Sequence, residues 1–538
     1  MRVRLLAASL LLSSAPALAK PPRLTLFITI DALGSDVYWR LKPRFHAGLL
    51  GISLQGAYFP TARYEYAETV TAAGHTTLAT GTNPYRHGIT SNKVLNRQSG
   101  KLEPVFADAS HPPLEAPLEL SDVSPVALLA ETLADRLRLS TQGKGKAIAI
   151  AGKGRAAIPM AGKLGVAWWF NESIGRFVTS TYYLKEVPPW MKAFNDKKPA
   201  DAFQSKDWPL LLPPKEYAGT DDRPFEADVF GLGRTFPHPL NGGLTAPGPQ
   251  SYAALASTPF MNDLLVQAAK AAIDGEQLGK DDVPDLLAVS FSGFDRAYHL
   301  FGPYSWELQD TALRLDRSLA ELIAWADRAA GGRANLLIVV TGDHGGAAIP
   351  EEWAAAGLDG VRVSSEALVQ ALKKELSDRF KADLVTAIEE TDVYLDHKAI
   401  ADKKLDLPAV RRAAAAWLSR QPDVMFAVAR DDLDAAPGPY AAAMRAGFSS
   451  ERSGDVLLTL KPYHVLEFEP NGTSHGAPYA YDNEVPAFFV GRGVKPGFNP
   501  APIRAVDIAP TAAALMEMGE PALCEGAARP EAITPFPR

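Results

Sequence analysis

Short apolar runs recur along the chain at wide intervals: residues 24–30, 147–151, 286–291, 336–341 and 487–490, each bounded by polar residues or glycine. Runs this short and this uniformly apolar are the pattern of strands covered on both faces. Helical periodicity lies between them. The clearest case follows Ser305, where Leu308, Ala312, Leu315, Leu319, Leu322 and Ile323 share one face and Gly331-Gly332 lies beyond the end. This alternation predicts an α/β sandwich, a central and mostly parallel sheet flanked by helices. The Pro- and aromatic-rich stretch 168–250 reads as an insertion on that core, and a second insertion is expected over 361–465. No internal repeat interrupts the pattern.

The opening residues follow a different rule. Arg2 and Arg4 precede an apolar stretch at 5–12, and Ala17-Leu18-Ala19 follows as a small-x-small site. That is the build of a cleavable signal peptide over 1–19, with the mature chain, 20–538, beginning near Lys20. The apolar stretch is too short to span a bilayer and no later one is long enough, so a periplasmic or secreted, soluble protein is expected. Composition is that of an ordinary globular body, 47% hydrophobic and 22% charged. The formal net charge of −7, or −9 (53 basic against 62 acidic residues) once Arg2 and Arg4 are removed, argues against a nucleic-acid-binding surface. Cys524 is the single cysteine, so the exported chain is expected to have no internal disulfide and to rely on its core or on bound metal.

The candidate chemistry sits just past the strand-like runs. Asp31 follows the first, Lys153 and Arg155 the second, Asp295 and His299 the third, and Asp343-His344 the fourth. Ligands of parallel sheets bind outside the carboxyl ends of the strands, so these side chains are expected to meet in one cleft. Asp295 and His299 stand four apart and share one side of a helical turn. Carboxylate and imidazole without thiolate suit zinc. Singly, each piece has an ordinary structural explanation: a loop pair for Asp343-His344, a helix cap for Asp31, a solvated turn for Lys153-Gly154-Arg155, a hydrogen-bonded core histidine for His475 or His75. Their joint placement after successive strands favours the functional reading. His46, His111, His238, His397 and His464 stand outside the pattern.

The stretch ETVTAAGHTTLATG at 68–81 adds a hydroxyl. Thr71 opens a run of small residues that lets a helix start close to whatever the hydroxyl faces. The free N–H groups and partial positive charge of a helix N-terminus favour an alkoxide or a phosphate oxygen there.

FITIDALGSD (27–36), TVTAAGHTTLATGTNPYRHGITSN (69–92), GKGR (152–155), FDRAYHLFGP (294–303), TGDHGG (341–346) and GTSHGAPYAYD (472–482), in this order, resemble the alkaline phosphatase superfamily. Within it they are most similar to the PafA-type bacterial alkaline phosphatases, which use a threonine nucleophile; WWFNESIGRFVTSTYY (168–183) and VDIAPTAAAL (506–515) add weaker support. The resemblance spans nearly the whole mature chain. It implies two zinc ions, one held by Asp295, His299 and His475 and one by Asp31, Asp343 and His344 with the Thr71 oxygen at its open position. It further implies that Asn92, Lys153 and Arg155 contact the phosphate. Gly342 departs from the pattern, since relatives often carry a bulkier residue before the ligand pair, and a looser ligand loop is expected from it.

The implied reaction is hydrolysis of phosphate monoesters through a phosphothreonine at Thr71, with some activity on diesters. Two metals about 4 Å apart can hold the attacking and leaving oxygens of an in-line displacement, and two cations spread charge over the non-bridging oxygens. The nearest rival is a type I phosphodiesterase of the nucleotide pyrophosphatase kind, with similar fold and ligands. Lys153 and Arg155 argue against it, because a monoester dianion presents more charge to neutralise than a diester. A sulfatase is disfavoured, since no Cys or Ser occupies position 71. A phosphoglycerate mutase is disfavoured by export. A non-catalytic binding protein would be expected to have lost the nucleophile or a ligand, and none is lost.

Overall fold

A computed structural model describes residues 20–117, 121–467 and 470–534; the signal-like segment 1–19 lies outside the described residues. The core is a ten-stranded sheet. From one edge its strands are Gly497–Phe498, Ala57–Arg63, Glu484–Gly491, Leu336–Thr341, Leu24–Thr29, Asp285–Ser290, Ala147–Ala151, Val166–Asn171 and Arg176–Val178, with Ile503–Arg504 also paired to Ala57–Arg63. The five strands from Leu336 to Val166 run parallel. Glu484–Gly491, Ala57–Arg63 and Arg176–Val178 join them antiparallel. The α/β sandwich with a mostly parallel central sheet is therefore observed. The run at 487–490 proves to be part of an antiparallel strand, and residues 168–178 lie largely within the sheet.

Both faces of the central strands are covered, which is why they read as continuous apolar runs. Leu24, Leu26, Ile28 and Ile30 face one cluster, shared with the helices Pro259–Glu276 and Trp306–Ala329. Phe27, Leu337 and Val339 face the other, shared with the helices Thr71–Thr80, Leu133–Ser140, Gly154–Ala161 and Ile508–Leu515. Ser305 caps the long helix, its hydroxyl accepting from Leu308 N at 3.0 Å. A separate four-stranded antiparallel sheet, Val385–Glu389, Asp392–Leu395, Val456–Leu460 and Val424–Ala429, has its own apolar cluster with the helices Ser365–Phe380 and Leu407–Leu418.

The register of the parallel strands fixes where chemistry can occur. Thr29 pairs with Ser290 on one side and Thr341 on the other, and Ser290 pairs in turn with Ala151. The segments bearing Asp31, Lys153, Asp295 and Asp343 therefore leave the sheet at one level.

The helix that starts at Gly154 carries Arg155 in its first turn, and its far end is anchored by Asp135. That buried carboxylate accepts from Lys163 N and Leu164 N at 2.8 Å each, and from Thr132 N and Oγ1 at 3.1 and 2.9 Å. Asp135→Ala leaves these donors without their acceptor, the Thr132 pair in a buried site and the Lys163 and Leu164 amides in a partly buried one. It is expected to lower stability by about 3 kcal/mol, seen as a drop in the denaturant midpoint with an unchanged slope, whereas Asp135→Asn retains part of the loss.

Candidate active site

Thr71 is the first residue of a helix whose ten residues are all buried. Val70 precedes it in extended conformation and offers no capping side chain; the Ala72 amide donates instead to Asn92 Oδ1 at 3.1 Å. Asn92 is thereby tied to the turn that carries Thr71. The small residues after Thr71 have a concrete purpose at Gly74, where a Cβ atom would lie 2.3 Å from the Asp343 carbonyl oxygen. The helix can approach the Asp343 loop only because position 74 lacks a side chain.

Lys153 reaches the same point from the next strand. Its Nζ lies 3.5 Å from Thr71 Oγ1 and 2.9 Å from Asp31 Oδ2, and it pairs closely with Asp295 Oδ2. His344 Nε2 stands 3.4 Å from both Asp31 Oδ1 and Asp343 Oδ2. His299 Nε2 and His475 Nε2 stand 3.3 and 3.8 Å from Asp295 Oδ1, and the His344 and His475 rings stack with centroids 3.8 Å apart. Arg155 lines the same cleft with Thr71, Asn92, Lys153, His299 and His475. The cleft thus brings together the sequence-predicted residues, with Asp31, Asp343 and His344 buried at its floor.

The three histidines are oriented alike. Nδ1 of His299 faces Thr473 O at 2.8 Å, that of His344 faces Gly345 O at 2.8 Å, and that of His475 faces Thr69 O at 2.8 Å. A carbonyl can only accept, so each Nδ1 carries its proton and each Nε2 turns toward the carboxylates with its lone pair available when the ring is neutral.

Charge in this floor is unevenly balanced. Burial and the carboxylates of Asp295 and Asp343 push Asp31 up to about 6, against the pull of Lys153. Burial also opposes ionisation of Asp295, but Lys153, His299 and His475 outweigh it and hold that carboxyl well below the ordinary range. At Asp343 burial is likewise outweighed, here by His344 and His75. Burial, His344 and His299 drive His475 toward its neutral form.

These residues suit divalent metal. The ligand atoms of Asp295, His299 and His475 lie within 4.8 Å of one another, as do those of Asp31, Asp295 and His344. Asp31 Oδ1, Asp295 Oδ1 and His344 Nε2 are buried and make no hydrogen bond among the described residues. Buried donors of this kind, three carboxylates against one ammonium, are the arrangement that a metal cation satisfies.

Two residues outside the predicted set belong to the site. His75, read from sequence as an ordinary core histidine, has Nδ1 2.9 Å from Thr71 O and 3.0 Å from Asp343 Oδ2, and Nε2 2.8 Å from Ser290 Oγ. It links the Thr71 turn, the Asp343 loop and a strand end, and its spacing of four from Thr71 was the available signal. Asp482 is buried, accepts from Ala477 N at 2.8 Å, and has a carboxylate oxygen within 4.8 Å of His344 and His475 nitrogens; burial pushes it up to about 7. Only its place inside the 472–482 motif hinted at it. The expectation of a loose loop at Gly342 is corrected: a Cβ there would lie 2.5 Å from Leu33 O, and Tyr64 Oη donates to Gly342 O at 2.9 Å, so the loop is closely packed and braced.

Residues 25–479 match the family described as type I phosphodiesterase / nucleotide pyrophosphatase. The chain is similar to the alkaline phosphatase PafA of Elizabethkingia meningoseptica, 32% identical over 511 residues that cover 93% of this chain and 92% of the relative. It is similar too to the alkaline phosphatase PhoV of Synechococcus elongatus, 31% identical over 517 residues, 94% of this chain and 92% of the relative. The crystal structure of wild-type PafA superposes with a TM-score of 0.90 at 31% identity, covering 96% of this chain and 99% of that one. A PafA variant with one threonine, one asparagine, one lysine and one arginine replaced superposes equally well, with a TM-score of 0.90.

Proposed function

That this chain belongs to the type I phosphodiesterase / nucleotide pyrophosphatase family, on its PafA-like alkaline phosphatase branch, is the premise from which we propose an exported, zinc-dependent phosphomonoesterase acting through a phosphothreonine at Thr71. The observation that carries the reading is the convergence of the Thr71 hydroxyl, the Lys153 ammonium and six Asp and His side chains at the carboxyl ends of four adjacent strands. The PafA variant supports the choice of side chains, since the replaced threonine, asparagine, lysine and arginine recur here in the same order as Thr71, Asn92, Lys153 and Arg155. The start of the sequence, with Arg2, Arg4 and Ala17-Leu18-Ala19, supports export.

Two zinc ions would be held, one by Asp295, His299 and His475 and the other by Asp31, Asp343, His344 and the Thr71 oxygen. When bound, they supply Lewis-acid stabilisation of charge on the attacking and leaving oxygens. The chain does the rest. Thr71 Oγ1 attacks phosphorus, a P–O bond forms to threonine, and the bond to the ester oxygen breaks with the electron pair leaving on that oxygen, which takes up from solvent a proton equivalent to the one Thr71 releases to it. Water then attacks the phosphothreonine, the P–O bond to Thr71 breaks, and the proton lost by the water returns through solvent to Thr71 Oγ1. Asn92, fixed by Ala72 N, presents its amide to a non-bridging oxygen, and Lys153 and Arg155 oppose the phosphoryl charge. Two inversions give net retention at phosphorus.

The purified mature chain is expected to hold about two zinc ions, to lose turnover on chelation and to regain it with zinc. Acid quenching during turnover of a radiolabelled aryl phosphate should leave label on Thr71. Thr71→Ser should retain substantial activity, and Thr71→Ala should lose most of it while still binding zinc and phosphate. Full turnover without metal, or label on Thr69 instead, would overturn the assignment.

The match to a phosphodiesterase family favours one second reading, in which diesters are the better substrates. Lys153 and Arg155 decide between the two. Losing a preorganised contact of this kind costs on the order of 3 kcal/mol, about a hundredfold in rate. Arg155→Ala and Lys153→Ala are each expected to depress kcat/KM for an aryl monoester far more than for its methyl diester with the same leaving group. Equal losses on both would favour the diesterase.

A further inference from the structure

The inserted sheet reaches the cleft through one turn. Its strands Val385–Glu389 and Asp392–Leu395 pair antiparallel, Glu389 opposite Asp392, and Glu390-Thr391 joins them. Glu389 and Glu390 line the same cleft, of about 260 Å³, as Thr71 and Asn92. Glu390 holds φ at 49°, in the left-handed region that a residue with a Cβ rarely adopts. Such backbone persists only where its surroundings fix it. The insertion is joined in turn to the two core segments that carry Thr71 and Asn92. Ala67 N donates to Ala443 O at 3.2 Å, and Thr391 Oγ1 donates to Glu68 Oε2 at 3.1 Å. Lys93 Nζ stands 3.6 Å from Glu389 Oε1, and Arg97 Nη2 donates to Asp455 Oδ2 at 3.4 Å.

Of these partners Glu68 stands closest to the nucleophile along the chain, three residues ahead of it. The residues between serve both halves of the site. Thr69 O faces His475 Nδ1 at 2.8 Å, and Val70 O accepts from Gly74 N at 2.8 Å in the first turn of the Thr71 helix. Glu68 is buried, and burial, with Asp392 and Glu390 nearby, pushes its carboxyl well above the ordinary range. At neutral pH it therefore acts as a neutral hydrogen-bonding group and not as a counter-ion. An apolar side chain would fill the same space at lower cost. What the carboxyl adds is a directional contact with Thr391, fixing the segment that enters the helix. We propose that Glu68 is a positioning residue for Thr71, held in place by Thr391 of the inserted sheet.

This inference rests on the phosphomonoesterase reading, and the test separates the two. The zinc-loaded mature chain, in saturating excess, is mixed with methyl phosphate, and the first-order release of methanol is followed. At saturation that rate constant does not depend on the fraction of molecules folded. Glu68→Leu and Thr391→Val are each expected to lower it roughly tenfold, the scale of a nucleophile displaced by a fraction of an ångström. The double variant should lose no more than either alone, since the two side chains act as one unit. Glu68→Gln keeps an acceptor for Thr391 and should keep the rate. Affinity for inorganic phosphate, met chiefly by Lys153 and Arg155 beyond another strand, should stay unchanged in every variant. Unchanged rate constants in both single variants, additive losses in the double, or a Gln variant as slow as the Leu one overturns the positioning role. So does a matching fall in phosphate affinity, which marks a general disturbance of the cleft. No methanol release from the unaltered chain overturns the phosphomonoesterase reading itself.

Discussion

Three carboxylates brought to one buried floor are the constraint on which the rest of this molecule depends. Asp31, Asp295 and Asp343 leave adjacent parallel strands at the same level because Thr29 is in register with both Ser290 and Thr341. Taking such charges out of water costs several kcal/mol each unless they are compensated. The local architecture reads as that compensation. Lys153 contacts two of the carboxylates, Ala32 N donates to Asp343 Oδ1 at 3.1 Å, and His75 and His344 stand beside Asp343. What these partners leave over, carboxylate oxygens and an imidazole nitrogen without hydrogen bonds among the described residues, suits a metal cation better than a salt-bridge network alone.

Positioning comes from backbone more than from side chains. Each of the three histidines is pinned by a carbonyl, and the carbonyls belong to residues 69, 345 and 473, on loops that themselves touch. Gly345 N and Gly346 N donate to carbonyls of Asp482 and Tyr481, at 2.6 and 2.9 Å, and Thr473 N donates to His299 O at 2.8 Å. A shift in any one loop therefore moves more than one Nε2, which couples the two prospective ligand sets. Asp482, held by Ala477 N and set close to two of the rings, lies at the centre of that coupling.

Much of this was legible in the sequence for one physical reason. Strands covered on both faces are apolar throughout, so the first polar residue past each marks the end of the sheet, and there the candidate side chains stood. The strand Ala57–Arg63 escaped notice because Pro60 interrupts it, tolerated beside an irregularity in its pairing with Glu484–Gly491. Residues 168–171 of the strand Val166–Asn171 were read into an insertion because the Pro-rich composition that follows was extended back over Trp168, Trp169 and Phe170, which are themselves strand-favouring and buried. His75 and Asp482 were only faintly legible as site residues, by a spacing of four from Thr71 and a place inside the 472–482 motif, since their partners, Asp343 for one and His344 and His475 for the other, come together only in the fold. Gly342 misled in the other direction. Absence of a side chain suggested looseness, whereas the loop has no room for one.

The two cations are not equivalent. Lys153 is engaged by Asp31 and Asp295, so part of its charge already goes to the carboxylate floor, and its Nζ stands 3.5 Å from Thr71 Oγ1. Arg155 sits further out in the cleft beside Asp122, whose carboxyl is raised by burial and drawn down by the Arg155 charge. Arg155 Nε makes no hydrogen bond among the described residues. Asp122 is influenced by the Arg155 charge and by its backbone amide, and a planar guanidinium can present paired donors to two oxygens where an ammonium acts as a point charge. On the proposed reading both cations oppose the phosphoryl charge, but Lys153 also holds the carboxylate floor together, a duty for which Arg155 shows no ion pair among the described residues.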